Sequence, residues 1–523
     1  MSSTTQALRL VRSLLDFGVR EAVLSPGSRS GPLALALATA EQEGLLRLHV
    51  RVDEREAAFL ALGMAKASHL AVPVVTTSGT AVANLPPAML EALHANVPLI
   101  AITADRPSRL RGTGANQTAD QREIFPGIRF IDDPDDIISL MDRDRPGHLN
   151  VELDEPLIEP APAGLGAAHP ATYERGEGPP TPSPLTLGPR TVVVAGDDAK
   201  QPARILARDA RWPLLAEPSS GSRNGEALVA YRLLLQHSPL AAQIERVVSF
   251  GHATLSRPVS RLLARTDIEI VHVGTQATFP VPAGPNVRFA VEVGVVGADD
   301  PAWIEAWHAD DAKATAAIDG VLDGTTPYDV ARTINAAVPP EGLLFIGSSN
   351  AIRDLDLVAR PYTVGERRLV VANRGLAGID GTLSCAIGAA LARTSSRAIA
   401  YVGDLTFLHG SNGLLIGKDE PRPDLTIVVA SDDGGSIFST LEQGAPEFAA
   451  TFERVYATPT GADIGALCAG YRVPHRLVAP DGLAAALEED VSGIRVLEVP
   501  LDRSGRRALA EVIGRAVEAA VRP

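Results

Sequence analysis

The chain of 523 residues is too long for one hydrophobic core and is expected to divide into about three domains. With 45% hydrophobic but only 4% aromatic residues, its core must come from Ala, Val, Leu and Ile, a mixture suited to helices packed on parallel sheets. A formal charge of −15 argues against non-specific nucleic-acid binding, so anionic substrates would need local arginines to hold them against the overall field.

The start, MSSTTQALRLVRSLL, has helical periodicity without a signal-peptide h-region, and no apolar run reaches membrane-spanning length. A soluble, cytoplasmic protein with no membrane span is expected. Over residues 1–160, helical patterns alternate with the short apolar strands REAVLSPGS, LRLHVRVDE, VPVVTTSGT and VPLIAITADRP. That alternation predicts a doubly wound parallel sheet, with ligands at the strand ends that run into Gly, Ser and Thr. Residues 161–190 are dense in Pro and Gly without periodicity and read as a linker. A second α/β region, 191–325, has the strands TVVVAG, RVVSFG and IEIVHVG, each ending in glycine. The third, 326–523, has GLLFIGSS, RLVVANRG, RAIAYVGD and LTIVVASDD and closes on a helix over 506–521. The first and third regions share a coarse βα plan. The two cysteines, Cys385 and Cys468, sit in apolar helical contexts without metal-ligand spacing and read as buried structural thiols.

The strongest chemical signal is a pair of strand ends in the third region. AIAYVGDL puts Asp404 directly after a strand and Gly403, and 28 residues later LTIVVASDDGG puts Asp432 and Asp433 at the end of the next. Neighbouring parallel strands would aim Asp404 and Asp432 at one crevice, where hard oxygen ligands suit Mg²⁺. Two helix N-caps at strand–helix turns would read the same way. In the first region, Glu54 of RVDEREAAF ends a strand and opens an apolar helix; alone it would be an ordinary first-turn carboxylate. Ser78, Gly79 and Thr80 are small enough to let a flat ring approach the backbone.

Together the segments SPGSRSGPLALAL, HVRVDERE, TTSGTAVANLPPA, ITADRP, GTGANQT, NRGLAGIDGTLS and GDLTFLHGSNGLL resemble the 2-succinyl-5-enolpyruvyl-6-hydroxy-3-cyclohexene-1-carboxylate synthase family, a thiamine-diphosphate-dependent group of menaquinone biosynthesis. They occur in the family's order and cover both outer regions. Leu405, where most thiamine enzymes have Gly, favours this family over acetolactate synthase or benzoylformate decarboxylase.

The resemblance implies a pyrimidine-binding first domain, a central domain and a diphosphate-binding third domain. It implies that 2-oxoglutarate is decarboxylated on thiamine diphosphate and the carbanion added to isochorismate, by a homodimer or tetramer with composite sites. Glu54 would hydrogen-bond the aminopyrimidine, and burial would raise its pKa so that it could share a proton. Asp404, Asp432 and the Gly434 carbonyl would hold Mg²⁺ (or Mn²⁺) on the diphosphate, and Ile379 would prop the cofactor in its bent shape. Ser78, Gly79, Thr80, Gly403, Leu405, Gly435 and Ile437 complete the implied cofactor contacts. Ser28, Arg29, Arg106, Asn116, Gln117, Arg257, Ser349, Arg353, Arg374 and Phe438 match the substrate pocket, with Glu54, Gln117, Arg353 and Arg29 as its catalytic members. Independently of the resemblance, Arg29, Arg106, Arg353 and Arg374 lie just past strand ends, where guanidinium forks suit carboxylates.

Two departures stand out: Ser431-Asp432-Asp433 replaces the family's usual Asn residues, and the segment between Gln121 and His148 is shorter than usual. A carboligase with another acceptor, or an inactive regulatory paralogue, are the competing expectations. Retention of Glu54 and Asp404 argues against the second.

Overall fold

The computed structural model describes residues 2–141, 144–160, 164–165, 181–274 and 280–522. Three parallel sheets carry the fold. The first contains β1 (Glu21–Leu24), β2 (Arg47–Val50), β3 (Val72–Thr76), β4 (Leu99–Asp105), β5 (Arg129–Ile131) and β6 (Gly147–Glu152), in the order β2-β1-β3-β4-β6-β5. After β7 (Ser183–Leu185), the second contains β8 (Thr191–Ala195), β9 (Leu214–Ala216), β10 (Arg246–Phe250), β11 (Glu269–Val273) and β12 (Val287–Ala290), ordered β12-β11-β10-β8-β9. After β13 (Val293–Val295), the third contains β14 (Leu343–Ile346), β15 (Leu369–Ala372), β16 (Ala398–Gly403), β17 (Leu425–Ser431), β18 (His475–Leu477) and β19 (Ile494–Pro500), ordered β15-β14-β16-β17-β19-β18. The outer sheets thus have one topology, the physical content of the βα plan they share in sequence. In each, the strand order reverses between the first and third strands, and the crevice beyond the carboxyl ends at that reversal is where an open α/β sheet binds ligands.

Side-chain alternation decides how the sheets stack. In the third, Leu344, Ile346, Ile399, Tyr401 and Val428 join a core shared with the second region. Their neighbours Leu343, Phe345, Ala400, Val402, Ile427 and Val429 join a core shared with the first. Strands buried on both faces need apolar residues at every position, which is why they read as continuous β-branched runs. Across the second of these cores, the helix Glu54–Ser68 packs on the helix Thr382–Ala392. A Cβ on Gly63 would lie 2.0 Å from the Cys385 carbonyl oxygen, and one on Gly388 2.1 Å from that of Leu60, so these glycines let the two backbones touch.

Cys385 and Cys468 are both buried free thiols. The helix Arg506–Val521 spans the range expected from sequence. Of the expected linker 161–190, residues 161–163 and 166–180 lie outside the described residues; Ser183–Leu185 is a strand, paired in parallel with β13. No helix among the described residues is long and apolar enough to cross a membrane.

Candidate active site

At the reversal between β14 and β16 the chain encloses a cavity of about 640 Å³. Ser348, Ser349 and Asn350 reach it from beyond β14, Gly403, Asp404 and Leu405 from β16, and Asp432 and Gly434–Phe438 from beyond β17. The loop after β15 contributes Arg374 through Ala377 and Ile379, and the second region contributes His252 and Thr254.

Asp404 opens the helix Asp404–His409, so both sequence readings of it hold in part. Its Oδ1 accepts the Leu405 N–H at 2.6 Å, an end-of-helix contact, while Oδ2 accepts the Gly434 N–H at 2.9 Å and ties the ends of β16 and β17 together. Burial pushes its carboxyl above the ordinary range. Burial likewise pushes Asp432 up to about 6, with a Ser436 hydrogen bond opposing and the Asp404 charge adding to the rise. Among the described residues neither makes an ion pair, and no group of three or more His, Cys, Asp or Glu is arranged to hold a metal unaided. Two desolvated carboxyls that make no ion pair among the described residues fit an ion that completes its shell from backbone and phosphate oxygens, the habit of Mg²⁺. Asp433 stays outside the cavity lining, although its charge adds to the rise at Asp404. Its backbone is left-handed (φ +50°), and its Oδ1 accepts the Thr460 and Gly461 N–H groups at 3.1 Å each, outside the cavity.

Three guanidiniums line the cavity; Arg506 is paired with Asp354, whereas Arg353 and Arg374 make no ion pair among the described residues. Arg353, on the helix Asn350–Val358, donates to the Ser349 carbonyl at 2.8 Å; burial, then repulsion from Arg374 and Arg232, lowers its pKa to about 10. Arg374 is buried and donates to Thr254 Oγ1 at 3.4 Å, and its Nε has no partner among the described residues. Two mutually repelling cations with an unpartnered donor suit an anionic ligand with carboxylates. Asn350, with its amide oxygen towards Arg506, accepts from Arg506 Nε at 3.1 Å and from the Ile437 N–H at 3.0 Å. This fixes the turn that presents Ile437 and Phe438.

A second cluster forms at the equivalent reversal of the first sheet. Arg106, buried just past β4, donates to Ser78 Oγ at 2.6 Å and to the Gln117 carbonyl at 2.8 Å. Burial, then the Arg29 charge, lowers its pKa. The Gly79 N–H donates to buried Gln121, which is anchored in turn to Asn150 at 2.7 Å. Arg29 donates to the Leu153 carbonyl at 2.9 Å. Ser28, Thr80, Asn116 and Gln117 are exposed along the same rim.

The two clusters are separate within the chain. Ser28, Arg29, Glu54, Ser78, Gly79, Thr80, Arg106, Asn116 and Gln117 are not among the residues lining the 640 Å³ cavity. Glu54 is half-buried, less enclosed than the burial expected of it. Its helix is capped by Asp53 and packed on the third region through Arg55, which donates to the His409 carbonyl at 3.1 Å. Arg257 departs from expectation: it is exposed and paired with Glu442 at 2.6 Å, outside the cavity. A guanidinium on the surface finds the nearest carboxylate, and here that carboxylate is 185 residues away in sequence. Sequence reasoning missed His252, Thr254, Asn350 and Arg506 in the lining. Only Asn350, beside Ser349 in the strand-end segment GSSN, carried a positional signal.

Paired carboxyls and guanidiniums at one strand-order reversal, with a second polar cluster at its topological twin, fit a thiamine-diphosphate enzyme, and the family match below shows that class. The family model for the thiamine pyrophosphate enzyme N-terminal TPP-binding domain matches residues 4–124. Across nearly its whole length the chain is similar to 2-succinyl-5-enolpyruvyl-6-hydroxy-3-cyclohexene-1-carboxylate synthases. It is 50% identical to that of Nocardioides sp. (98% of this chain, 97% of the relative) and 49% identical to that of Kineococcus radiotolerans (99% of each). It is 42% identical to that of Rhodococcus erythropolis (97% of this chain, 98% of the relative). The chain belongs to the 2-succinyl-5-enolpyruvyl-6-hydroxy-3-cyclohexene-1-carboxylate synthase family, and its cofactor is thiamine diphosphate.

Proposed function

We propose that the enzyme decarboxylates 2-oxoglutarate and joins the remaining four-carbon unit to isochorismate, a carbon–carbon bond-forming step of menaquinone biosynthesis, in the cytoplasm. Thiamine diphosphate supplies the carbon nucleophile that takes up the 2-oxo acid and stabilises the charge left when CO₂ departs. Asp404, Asp432 and the Gly434 carbonyl would hold Mg²⁺ (or Mn²⁺) for the diphosphate, and Gly403, Leu405 and Gly435 would shape the backbone around it. Glu54 would hold a proton at the aminopyrimidine nitrogen, and Ser78, Gly79, Thr80 and Ile379 would contact the cofactor.

Arg353 and Arg374, with Ser349, grip the carboxylates of 2-oxoglutarate, because they share a cavity with the metal ligands and this acid reacts first. Ser28, Arg29, Arg106, Asn116 and Gln117 receive isochorismate from the other cluster. Ile437 and Phe438 line the cavity as an apolar wall that would exclude water from the reacting centre. The site is completed by pairing two chains about a two-fold axis, the first domain of one facing the third of its partner.

The observation that most supports this reading is the joint occurrence of Asp404, Asp432, Arg353 and Arg374 around one cavity. Mass spectrometry of the products from 2-oxoglutarate and isochorismate, with thiamine diphosphate and Mg²⁺, tests it. The coupled product is expected. Coupling to a different acceptor would make this another carboligase, and no turnover with either substrate would make it an inactive paralogue.

A further inference from the structure

Glu91 lies in the helix Pro86–Ala95 of the first region, where the segment PPAMLEALHA reads as one carboxylate in a largely apolar helix. The fold gives its carboxylate an unusual task. It is 4% exposed, and Oε1 accepts the Gly375 N–H at 2.7 Å while Oε2 accepts those of Leu376 and Ala377 at 2.7 and 3.3 Å. Three successive backbone N–H groups converging on one anion form a nest, and bonds to a full charge are roughly twice as strong as neutral ones. The approach is close: a Cβ on Gly375 would sit 2.5 Å from the Glu91 carbonyl oxygen. Ala377 is left-handed (φ +58°), a conformation that a residue with a Cβ keeps only when its surroundings impose it.

The clamped tripeptide starts one residue after Arg374 and stops two before Ile379, so it joins two residues of the cavity wall. Arg374 is held from the opposite side as well, where His252 Nδ1 donates to its carbonyl at 2.9 Å. Among the described residues its guanidinium makes only a long bond to Thr254, so its direction depends on where its backbone is fixed.

We propose that Glu91 is a positioning residue for the substrate cavity: by binding the N–H groups of Gly375–Ala377 it sets the direction in which Arg374 offers its guanidinium to the 2-oxo acid. This rests on the functional reading given above. A purely structural anchor would change stability and leave substrate affinity alone. An anchor one peptide from a substrate-binding guanidinium changes the KM for the acid that guanidinium binds.

The test uses the full chain loaded with thiamine diphosphate and Mg²⁺, as wild type, Glu91→Gln and Glu91→Asp. Glutamine places an amide NH₂ against N–H donors, and aspartate keeps the charge but withdraws it by one methylene. Glu91→Gln is expected to raise the KM for 2-oxoglutarate about tenfold or more, with kcat and the KM for isochorismate within about threefold. Glu91→Asp should fall between it and wild type. Hydrogen exchange of peptides spanning 373–380 should show protected amides in the wild type and faster exchange, confined to that loop, in Glu91→Gln.

An unchanged KM for 2-oxoglutarate in folded Glu91→Gln would overturn the proposal, and so would free-loop exchange of these amides in the wild type. If Glu91→Gln does not fold, wild-type exchange and the KM of Glu91→Asp decide, an unchanged KM counting against. A wild-type enzyme inactive on 2-oxoglutarate would refute the functional reading instead, and the exchange result would stand apart from it.

Discussion

Glu54, Asp404 and Glu217 are carboxyls in three different surroundings, and each gives its own test. Glu54, half-buried at the start of its helix, needs its carboxyl proton for the role proposed here. Glu54→Gln should lower turnover roughly 10²–10⁴-fold while circular dichroism stays that of the wild type; near-full turnover would remove Glu54 from the mechanism. Asp404 ties two strand ends together as well as belonging to the proposed metal site, so Asp404→Ala should abolish Mg²⁺-dependent binding of thiamine diphosphate in calorimetry. Chelating the metal from wild type should do the same, because a diphosphate beside two carboxylates needs a cation between them. Glu217 is fully buried at the end of β9; its Oε1 accepts the Leu255 N–H at 3.0 Å, and burial pushes its pKa up to about 8. In the unfolded chain the same carboxyl titrates near pH ~4. The folded form therefore holds the extra proton between those values, and the stability Glu217 contributes declines as pH rises towards 8. Glu217→Gln should flatten the fall of the thermal midpoint between about pH 6 and 8, measured on cofactor-free protein; an unaltered slope would locate the titrating group elsewhere.

At the scale of elements, the strands that carry the cavity are those the sequence marked most clearly. β14, β16 and β17 are continuous apolar runs because both faces are buried, and each is punctuated by Gly, Ser or Asp where the chain leaves the sheet. That same punctuation made Ser349, Asp404 and Asp432 legible. Among the elements missed, β5 and β18 have three residues each, β19 mixes buried with partly exposed positions, and buried β6 carries the polar His148 and Asn150, which break its apolar run. His252, Thr254 and Glu91 were not legible, because their relation to the cavity depends on how separate regions stack rather than on local pattern. Arg257 pairs with Glu442, which is distant in sequence, and that pairing was not legible either. The helix pair Glu54–Ser68 and Thr382–Ala392 offers a test of packing. Gly63→Val would force side-chain atoms into the Cys385 backbone, and overpacking of this kind costs about 1–3 kcal/mol. A lower denaturant midpoint is expected, with loss of activity because the same helix carries Glu54; unchanged stability would mean the helices separate freely.

Across the whole molecule, the third sheet is the hub: one face is shared with the first region's core and the other with the second's. This accounts for a cavity wall assembled from Arg374 of the third region and His252 and Thr254 of the second, braced by Glu91 of the first. The first region's cluster around Arg106, Ser78 and Gln117 remains outside that cavity, as does Glu54. The central claim is that these two half-sites meet between chains. The most direct measurement co-expresses Glu54→Gln with Asp404→Ala and assays the coupled product. Random pairing makes about half the dimers mixed, and each mixed dimer carries one intact and one doubly altered site. Activity should return to about a quarter of wild type although each variant alone is inactive. Recovery of no activity from the mixture, with both variants folded and dimeric, would contradict the account.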